Sequence, residues 1–300
     1  MFLFLLLCLC FLLNIGLGSV DISFSEIYAS IFSSEPQEGN ITYIVRNYRL
    51  PKAITAILVG AGLSLSGLLM QTLFRNPLAG PFVLGISSGA SLGAAILLMG
   101  GALLGGVATS LMYSDIALTI AASMGSFLVL AIVMYVASKV RDTLALLIIG
   151  LMFGSLTAAF VSILAYFADS EELQRYIFWT FGSVGNLNWS QVGILTLCVL
   201  IGTLISIGLI KTLNSFLLGE QYAISLGVSI QRSRFWIIIA TGILAGSVTA
   251  FAGPIAFIGL AVPHLCRQLF SSTDHRVLVP AVMLYGPILL LLCDTVAQMP

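Results

Sequence analysis

The stretch FAGPIAFIGLAVPHLCRQL, residues 251–269, is apolar enough for a membrane, yet it carries two prolines, two glycines, a histidine and an arginine. Neither a soluble core helix nor an ordinary membrane span favours that mixture. Gly253 and Pro254 turn the chain back, and Pro263 then falls inside the returning segment. There it removes a backbone donor, frees the carbonyl four residues earlier and kinks the helix. The stretch therefore reads as a short, bent return helix, with His264 and Arg267 near its far end.

Such a helix belongs inside a larger membrane bundle, and the composition supplies one. Of 300 residues, 59% are hydrophobic and 8% charged, against about 25% charged in soluble domains. A bilayer crossing needs about 20 apolar residues. Candidate spans lie near 2–18, 53–73, 82–104, 116–137, 144–167, 192–210, 235–251, 254–269 and 278–297. The fold class is all-α, a polytopic membrane helix bundle forming one transmembrane domain over 1–300. Zero net charge gives no general basic surface for nucleic acid. With the N-terminus inside, the loops after even-numbered spans hold Arg75, Lys139, Arg141, Lys211, Arg232, Arg234, Arg267 and Arg276, so the positive-inside rule puts the N-terminus in the cytoplasm.

The first segment, MFLFLLLCLCFLLNIGLG, lacks the basic start and small-residue cleavage site of a signal peptide, and reads as a span. The five cysteines lie within or at the end of apolar segments, where small packing residues are expected rather than disulfides or metal ligands. A phosphate-binding loop needs G-x-x-x-x-G-K-[ST], and no lysine here follows a glycine. No serine, histidine and carboxylate recur at helical spacing at membrane depth. These absences leave a membrane enzyme unmotivated, and no cofactor or metal is expected in this chain; if ATP drives the protein, another subunit hydrolyses it.

Small residues recur every four positions at Gly85, Gly89 and Gly93, at Gly150, Gly154, Ala158 and Ser162, and at Gly242, Gly246 and Ala250. On a helix each set forms a smooth stripe against which a second backbone packs closely. There is also an internal echo. Ala79-Gly80-Pro81 runs into FVLGISSG, and Ala252-Gly253-Pro254 runs into IAFIGLAV, each after a span that opens beside basic residues. The first such span starts outside and the second inside, which is the arrangement of an inverted repeat.

The wording of three stretches is more specific. GPIAFIGLAVPHLCRQL followed by DHRVLVPA (274–281), RLPKAITAILVGAGLSLSGLLMQTLFRNPLAGPFVLGISSGA (49–90) and LLGEQYAISLGV (217–228) together resemble the permease subunits of ABC importers for iron-siderophore complexes, haem and cobalamin, the FecCD type. The resemblance runs from about residue 20 to the end. It implies two permease chains paired around a central path, most simply as a homodimer in the bacterial inner membrane. Two separate ATP-binding subunits, carrying ATP and Mg, would dock inside, and a soluble or lipid-anchored substrate-binding protein outside. Membrane lipid would surround the spans.

Residue by residue, the resemblance places a cytoplasmic coupling helix at 218–228, with Leu218, Gly219, Glu220, Tyr222, Ala223, Leu226 and Gly227 as its contacts. Glu220 suits a helix N-terminus and Gly227 a C-terminal stop, and Tyr222, Ala223 and Leu226 are expected on one face. Arg49 and Lys52 would dock the binding protein; as residues alone they are also explained by snorkelling. Asn76 and Leu78 around Pro77, with Thr143 and Leu144, would form the cytoplasmic gate. The fifth span, with Gly150, Gly154, Thr157, Ala158 and Ser162, would line the path. Two departures stand out. Gln298 follows Asp294-Thr295-Val296-Ala297 where the family commonly has a basic residue, and the chain stops at Pro300, before the family's tenth helix. An ion-coupled secondary transporter is the competing reading. It needs ionisable groups at membrane depth, and Asp294 is the main candidate. Ferric siderophores are the expected cargo, with haem and cobalamin beside them.

Overall fold

The computed structural model describes residues 1–18, 22–32, 40–100, 114–140 and 143–298, and no strand occurs among them. In chain order the helices are α1 (Phe2–Gly16), α2 (Phe24–Phe32), α3 (Asn40–Ile44), α4 (Leu50–Leu73), α5 (Ile86–Met99), α6 (Asp115–Lys139), α7 (Thr143–Phe167), α8 (Ser170–Thr180), α9 (Trp189–Gly208), α10 (Ile210–Leu217), α11 (Glu220–Ser225), α12 (Ile230–Ala252), α13 (Ile258–Phe270) and α14 (His275–Gln298). A π-helical turn, Val45–Arg49, joins α3 to α4, and a 3-10 turn, Pro81–Leu84, precedes α5.

Among the described residues, six helical stretches are long and apolar enough to cross a membrane: Ile41–Leu73, α6, Ala145–Phe167 within α7, α9, α12 and α14; α1 and α5 are shorter apolar helices. The opening stretch is the most informative departure. A span is expected over 254–269, but the helix occupies only Ile258–Phe270, 13 residues with Pro263 inside it. At 1.5 Å per residue it covers about 20 Å of a hydrocarbon core about 30 Å thick. The preceding residues are not helical, and Phe257 at the helix start has φ 74° and ψ −39°. For a bulky side chain that conformation costs about 1–3 kcal/mol. Its counterpart at the start of α5 is Gly85, φ 72°, which adopts the same region at little cost.

The two halves exchange partners. Helices α4, α5 and α6 follow one another in the first half, and α12, α13 and α14 in the second. Helix α4 packs against α13 and α14, while α12 packs against α5 and α6, and α4 and α12 also touch. That connectivity is the one an inverted repeat requires. It puts α4 and α12 at the centre: 83% of the apolar stretch of α4 is buried and 67% of that of α12, against 17% for α7.

Glycines set the spacing. A Cβ at Gly67 would coincide with the carbonyl of Gly259, and one at Gly60 would lie 2.6–2.7 Å from the backbone of Gly286 and Pro287. The stripe at Gly89 and Gly93 packs on the backbone of Gly125 and Ala121, and Gly242 and Gly246 pack on Leu130 and Ser126. Helix α1 packs on α14, so the first segment is an integral part of the bundle.

A methyl group at position 67 has nowhere to go because the obstacle is backbone, whereas Gly193 on α9 has open space around it. Gly67→Ala is expected to destabilise by at least about 3 kcal/mol, and Gly193→Ala to stabilise by about 0.5–1 kcal/mol. Thermal unfolding of the detergent-solubilised protein, followed by circular dichroism, checks both; equal effects would remove the close α4–α13 approach as the cause.

Candidate functional site

Chemistry-bearing side chains gather in three places: the end of the bundle that carries Arg49, the opposite end that carries Glu220, and a cleft between them.

At the first end, Arg49 is 8% exposed. Its Nη1 donates to the carbonyls of Ile15 (2.6 Å) and Gly16 (3.1 Å), so the guanidinium satisfies the open C-terminal carbonyls of α1, where a cation is favoured. Lys52 Nζ lies 3.1 Å from Asp294 Oδ1. The other oxygen, Oδ2, accepts from Asn14 Nδ2 at 2.9 Å and from Gln298 Nε2. Asn14 also donates to Thr295 Oγ1 at 3.0 Å. Of the two residues expected to dock the binding protein, Arg49 is buried and bonded to the end of α1, and Lys52 is paired with Asp294, its side chain 25% exposed. Gln298, in the place where a basic residue was expected, shares that carboxylate. Lys52, Asp294 and Gln298 were each singled out in the sequence, but Asn14 was missed; its signal was a lone amide in an apolar run.

At the opposite end, α11 is bracketed by two glycines in the left-handed half of backbone space, Gly219 at φ 115° and Gly227 at φ 82°. Seven residues lie between these two bends, and six of them, Glu220–Ser225, form the short helix. Ala223 is buried within the bundle, while Leu218, Tyr222 and Leu226 are 64%, 53% and 56% exposed. The face therefore differs from the expected one. Ala223 anchors the helix inward, Tyr222 and Leu226 point outward about one turn apart, and Leu218 is exposed just before the bend at Gly219. Glu220 Oε1 accepts from Arg234 Nη2 at 2.9 Å, which ties α11 to central helix α12.

Beside it runs a relay between residues too far apart in the chain for any local pattern to relate them. Thr72 Oγ1 meets His275 Nε2 at 2.8 Å, His275 Nδ1 meets Asn214 Oδ1 at 2.7 Å, and Asn214 Nδ2 donates to Asp274 Oδ1 at 2.6 Å. These bonds fasten α10 to α4 and α14. The Asp274 carboxyl is held below the usual carboxylate range, first by the backbone amide of Arg276 and then by Asn214. A lowered folded-state value contributes stability above the ordinary carboxylate range, and that contribution disappears as pH falls through it. Gln71 accepts from Arg267 and donates to the carbonyl of Leu260 at 3.0 Å, pinning the return helix to α4.

The expected gate residues lie at this end too. Asn76 Oδ1 accepts from the amide of Leu78 at 2.9 Å, an Asx turn that leaves the Leu78 side chain 70% exposed. Thr143 and Leu144 open α7; their side chains lie outside the described residues. The expected path residues divide. A Cβ at Gly150 would meet the backbone of Val83 and Leu84, so Gly150 is a packing residue. Gly154, Thr157, Ala158 and Ser162 line a cleft of about 430 Å³ with Ser87, Ser88 and Ser91 of α5 and Tyr176 and Thr180 of α8.

A helical bundle with crossed halves, two short apolar helices and a polar cleft between α5, α7 and α8 has the architecture of a polytopic membrane protein. The chain belongs to the FecCD transport family, whose model matches residues 6–300, and it is a permease of the ABC-importer type. It is 33% identical to the hemin transport system permease protein HmuU of Yersinia pestis, over 99% of this chain and 86% of that protein. It is 34% identical to the molybdate import system permease protein MolB of Haemophilus influenzae, over 98% and 86%. The vitamin B12 import system permease protein BtuC of Salmonella typhi is 40% identical, over 84% and 74%. A solved inward-facing conformation of a metal-chelate type ABC transporter superposes with a TM-score of 0.85 at 32% identity, over 99% of this chain and 89% of that one.

Asp294 sits between two helix ends and a lysine, so its charge is the focus of the first cluster. Asp294→Asn is expected to cost about 1.5–3 kcal/mol, the range for hydrogen bonds to charged groups. Combined with Lys52→Met, the loss is expected to be less than the sum of the single effects. Chemical denaturation of the four proteins of this cycle gives the coupling, and strict additivity would mean that the pair does not interact.

Proposed function

We propose that the chain is the membrane-spanning subunit of a binding-protein-dependent ABC importer. It works as a homodimer with two separate ATP-binding subunits, on which ATP and Mg reside, in the bacterial inner membrane. The N-terminus and α11 face the cytoplasm, and Arg49 and Lys52 face the binding protein. The cargo is a ferric siderophore or a related chelate such as haem or cobalamin.

The single observation that carries this reading is the build of α11: an apolar outward face, an inward anchor at Ala223, and an ion pair from Glu220 to α12. A partner that grips Leu218, Tyr222 and Leu226 moves α12 directly, and α12 is one of the two central helices. The 218–228 segment is therefore assigned as the coupling helix. Alternating access follows if drawing two such helices together switches the pair between outward and inward openings. The exposed apolar face of α7, with Met152, Leu156 and Phe160, is the surface assigned to the second copy, and Leu78 with Thr143 and Leu144 would close the path at the cytoplasmic end. On the binding-protein side, Lys52 is the accessible cation and docks by exchanging Asp294 for a carboxylate of the binding protein, while Arg49 supports that surface by holding α1. Charge pairing there would set orientation and association rate. A proton- or sodium-coupled role for Asp294 is not favoured, because its carboxylate is already engaged by Lys52, Asn14 and Gln298 near one end of the bundle.

Affinity purification of the permease from its native membrane, with mass spectrometry of what accompanies it, is expected to return an ATP-binding subunit. Glu220→Arg, which sets like charges against Arg234, is expected to lower transport per ATP hydrolysed by about tenfold, within the usual range of coupling energies. Transport that persists without any ATP-binding subunit would overturn the importer reading, and unchanged coupling in Glu220→Arg would overturn the role of α11.

A further inference from the structure

The cleft between the start of α5, the middle of α7 and α8 is lined by seven hydroxyls, and no carboxylate, ammonium, guanidinium or imidazole is among its lining residues. Counting protons distinguishes the walls. Thr157 donates to the carbonyl of Gly154 (2.8 Å), Ser162 to that of Ala158 (2.9 Å) and Thr180 to that of Ile177 (2.7 Å). Those three hydroxyls spend their only proton on their own helices and keep only lone pairs for the cleft. Ser91 and Tyr176 share one bond of 2.5 Å, which uses one of their two protons. Ser87 and Ser88 have no hydrogen-bond partner among the described residues.

Three donors therefore remain unspent, on Ser87, on Ser88 and on the Ser91–Tyr176 pair. Ser91 lies three and four positions after Ser88 and Ser87, so it neighbours both on α5, and Tyr176 of α8 is bonded to it. Covering these hydroxyls without an acceptor would cost the desolvation of each. The groups that satisfy them are acceptor oxygens. With no fixed countercharge, binding stays weak enough for release, as a passage requires. At about 430 Å³ the cleft admits one arm of a chelate rather than the whole of it.

We propose that the α5 wall of this cleft is a transient binding subsite for carboxylate or oxyanion oxygens of the cargo, held by Ser87, Ser88 and the Ser91–Tyr176 pair. The assignment rests on the importer reading and adds the chemistry of the ligand to it.

Trp179 reports on the site, because its ring stacks on Tyr176 with centroids 6.4 Å apart. The test uses the permease with its ATP-binding subunits in lipid nanodiscs, with Trp189→Phe and Trp236→Phe so that Trp179 is this chain's remaining tryptophan, and the Trp179→Phe form of the same assembly is subtracted as background. Sodium citrate, as the carboxylate probe, is expected to change the emission saturably, while tetramethylammonium chloride at matched ionic strength is not. Ser87→Ala with Ser88→Ala is expected to raise the half-saturating citrate concentration by at least about tenfold, and Tyr176→Phe by about threefold. Equal responses to citrate and tetramethylammonium, no response to either, or an unchanged citrate response in the serine variants would overturn the subsite. Failure of the ATP-binding subunits to assemble, with citrate still bound and lost in the serine variants, would overturn the importer reading and leave the subsite standing.

Discussion

The contact on which the rest of the bundle depends is the approach of α4 to the second half, backbone to backbone, at Gly67 against Gly259 and Gly60 against Gly286. In lipid, apolar side chains gain little by leaving one hydrocarbon surrounding for another, so helices associate through close packing and hydrogen bonds. Removing the Cβ at both contact points lets helices approach at distances where those weak terms add up. Everything functional is hung on the resulting pair. Helix α4 carries Lys52 at one end and Thr72 at the other, and α14 carries Asp294 and His275 opposite them. The pair is thus fastened by an ion pair at one end, by a hydrogen-bond relay at the other, and by backbone contact between.

The same packing tolerates the short helices. A half-helix ending inside a bilayer exposes amides that lipid cannot satisfy, so α5 and α13 exist only because neighbouring helices enclose their ends. Where the chain enters α5, glycine takes the left-handed turn; where it enters α13, Phe257 takes it at a cost. The two repeats therefore reach one geometry with unequal strain. The wall chemistry of the cleft is unequal too. Thr157, Ser162 and Thr180 of α7 and α8 bond to carbonyls of their own helices, while Ser87 and Ser88 of α5 make no such bond among the described residues.

Much of this was legible in the residues. The repeated Ala-Gly-Pro, the misplaced Pro263 and the four-residue glycine spacing pointed to crossed halves with close-packed helices, and Gly219, Glu220 and Gly227 marked a short exposed helix. The parts that failed to show are those made by distant residues. Asn14 and Asp294 are 280 residues apart, and Asn214 and His275 are 61 apart; no local period relates them. Ala223 was placed on the wrong face because six residues carry too little periodicity to tell inward from outward.

The sequence by itself determined that the chain lives in a membrane, that it is all helix, and where its turns fall, since those follow from composition and from the backbone preferences of glycine and proline. Only the tertiary structure decided which charges are spent and which hydroxyls remain open. Arg49 became a clamp on α1 and Lys52 a partner of Asp294 because the bundle brings those groups within hydrogen-bonding distance, and the free donors of α5 are defined by what no neighbour reaches. Partnership of polar groups is a property of three-dimensional proximity, and residue order carries it only within a turn of helix.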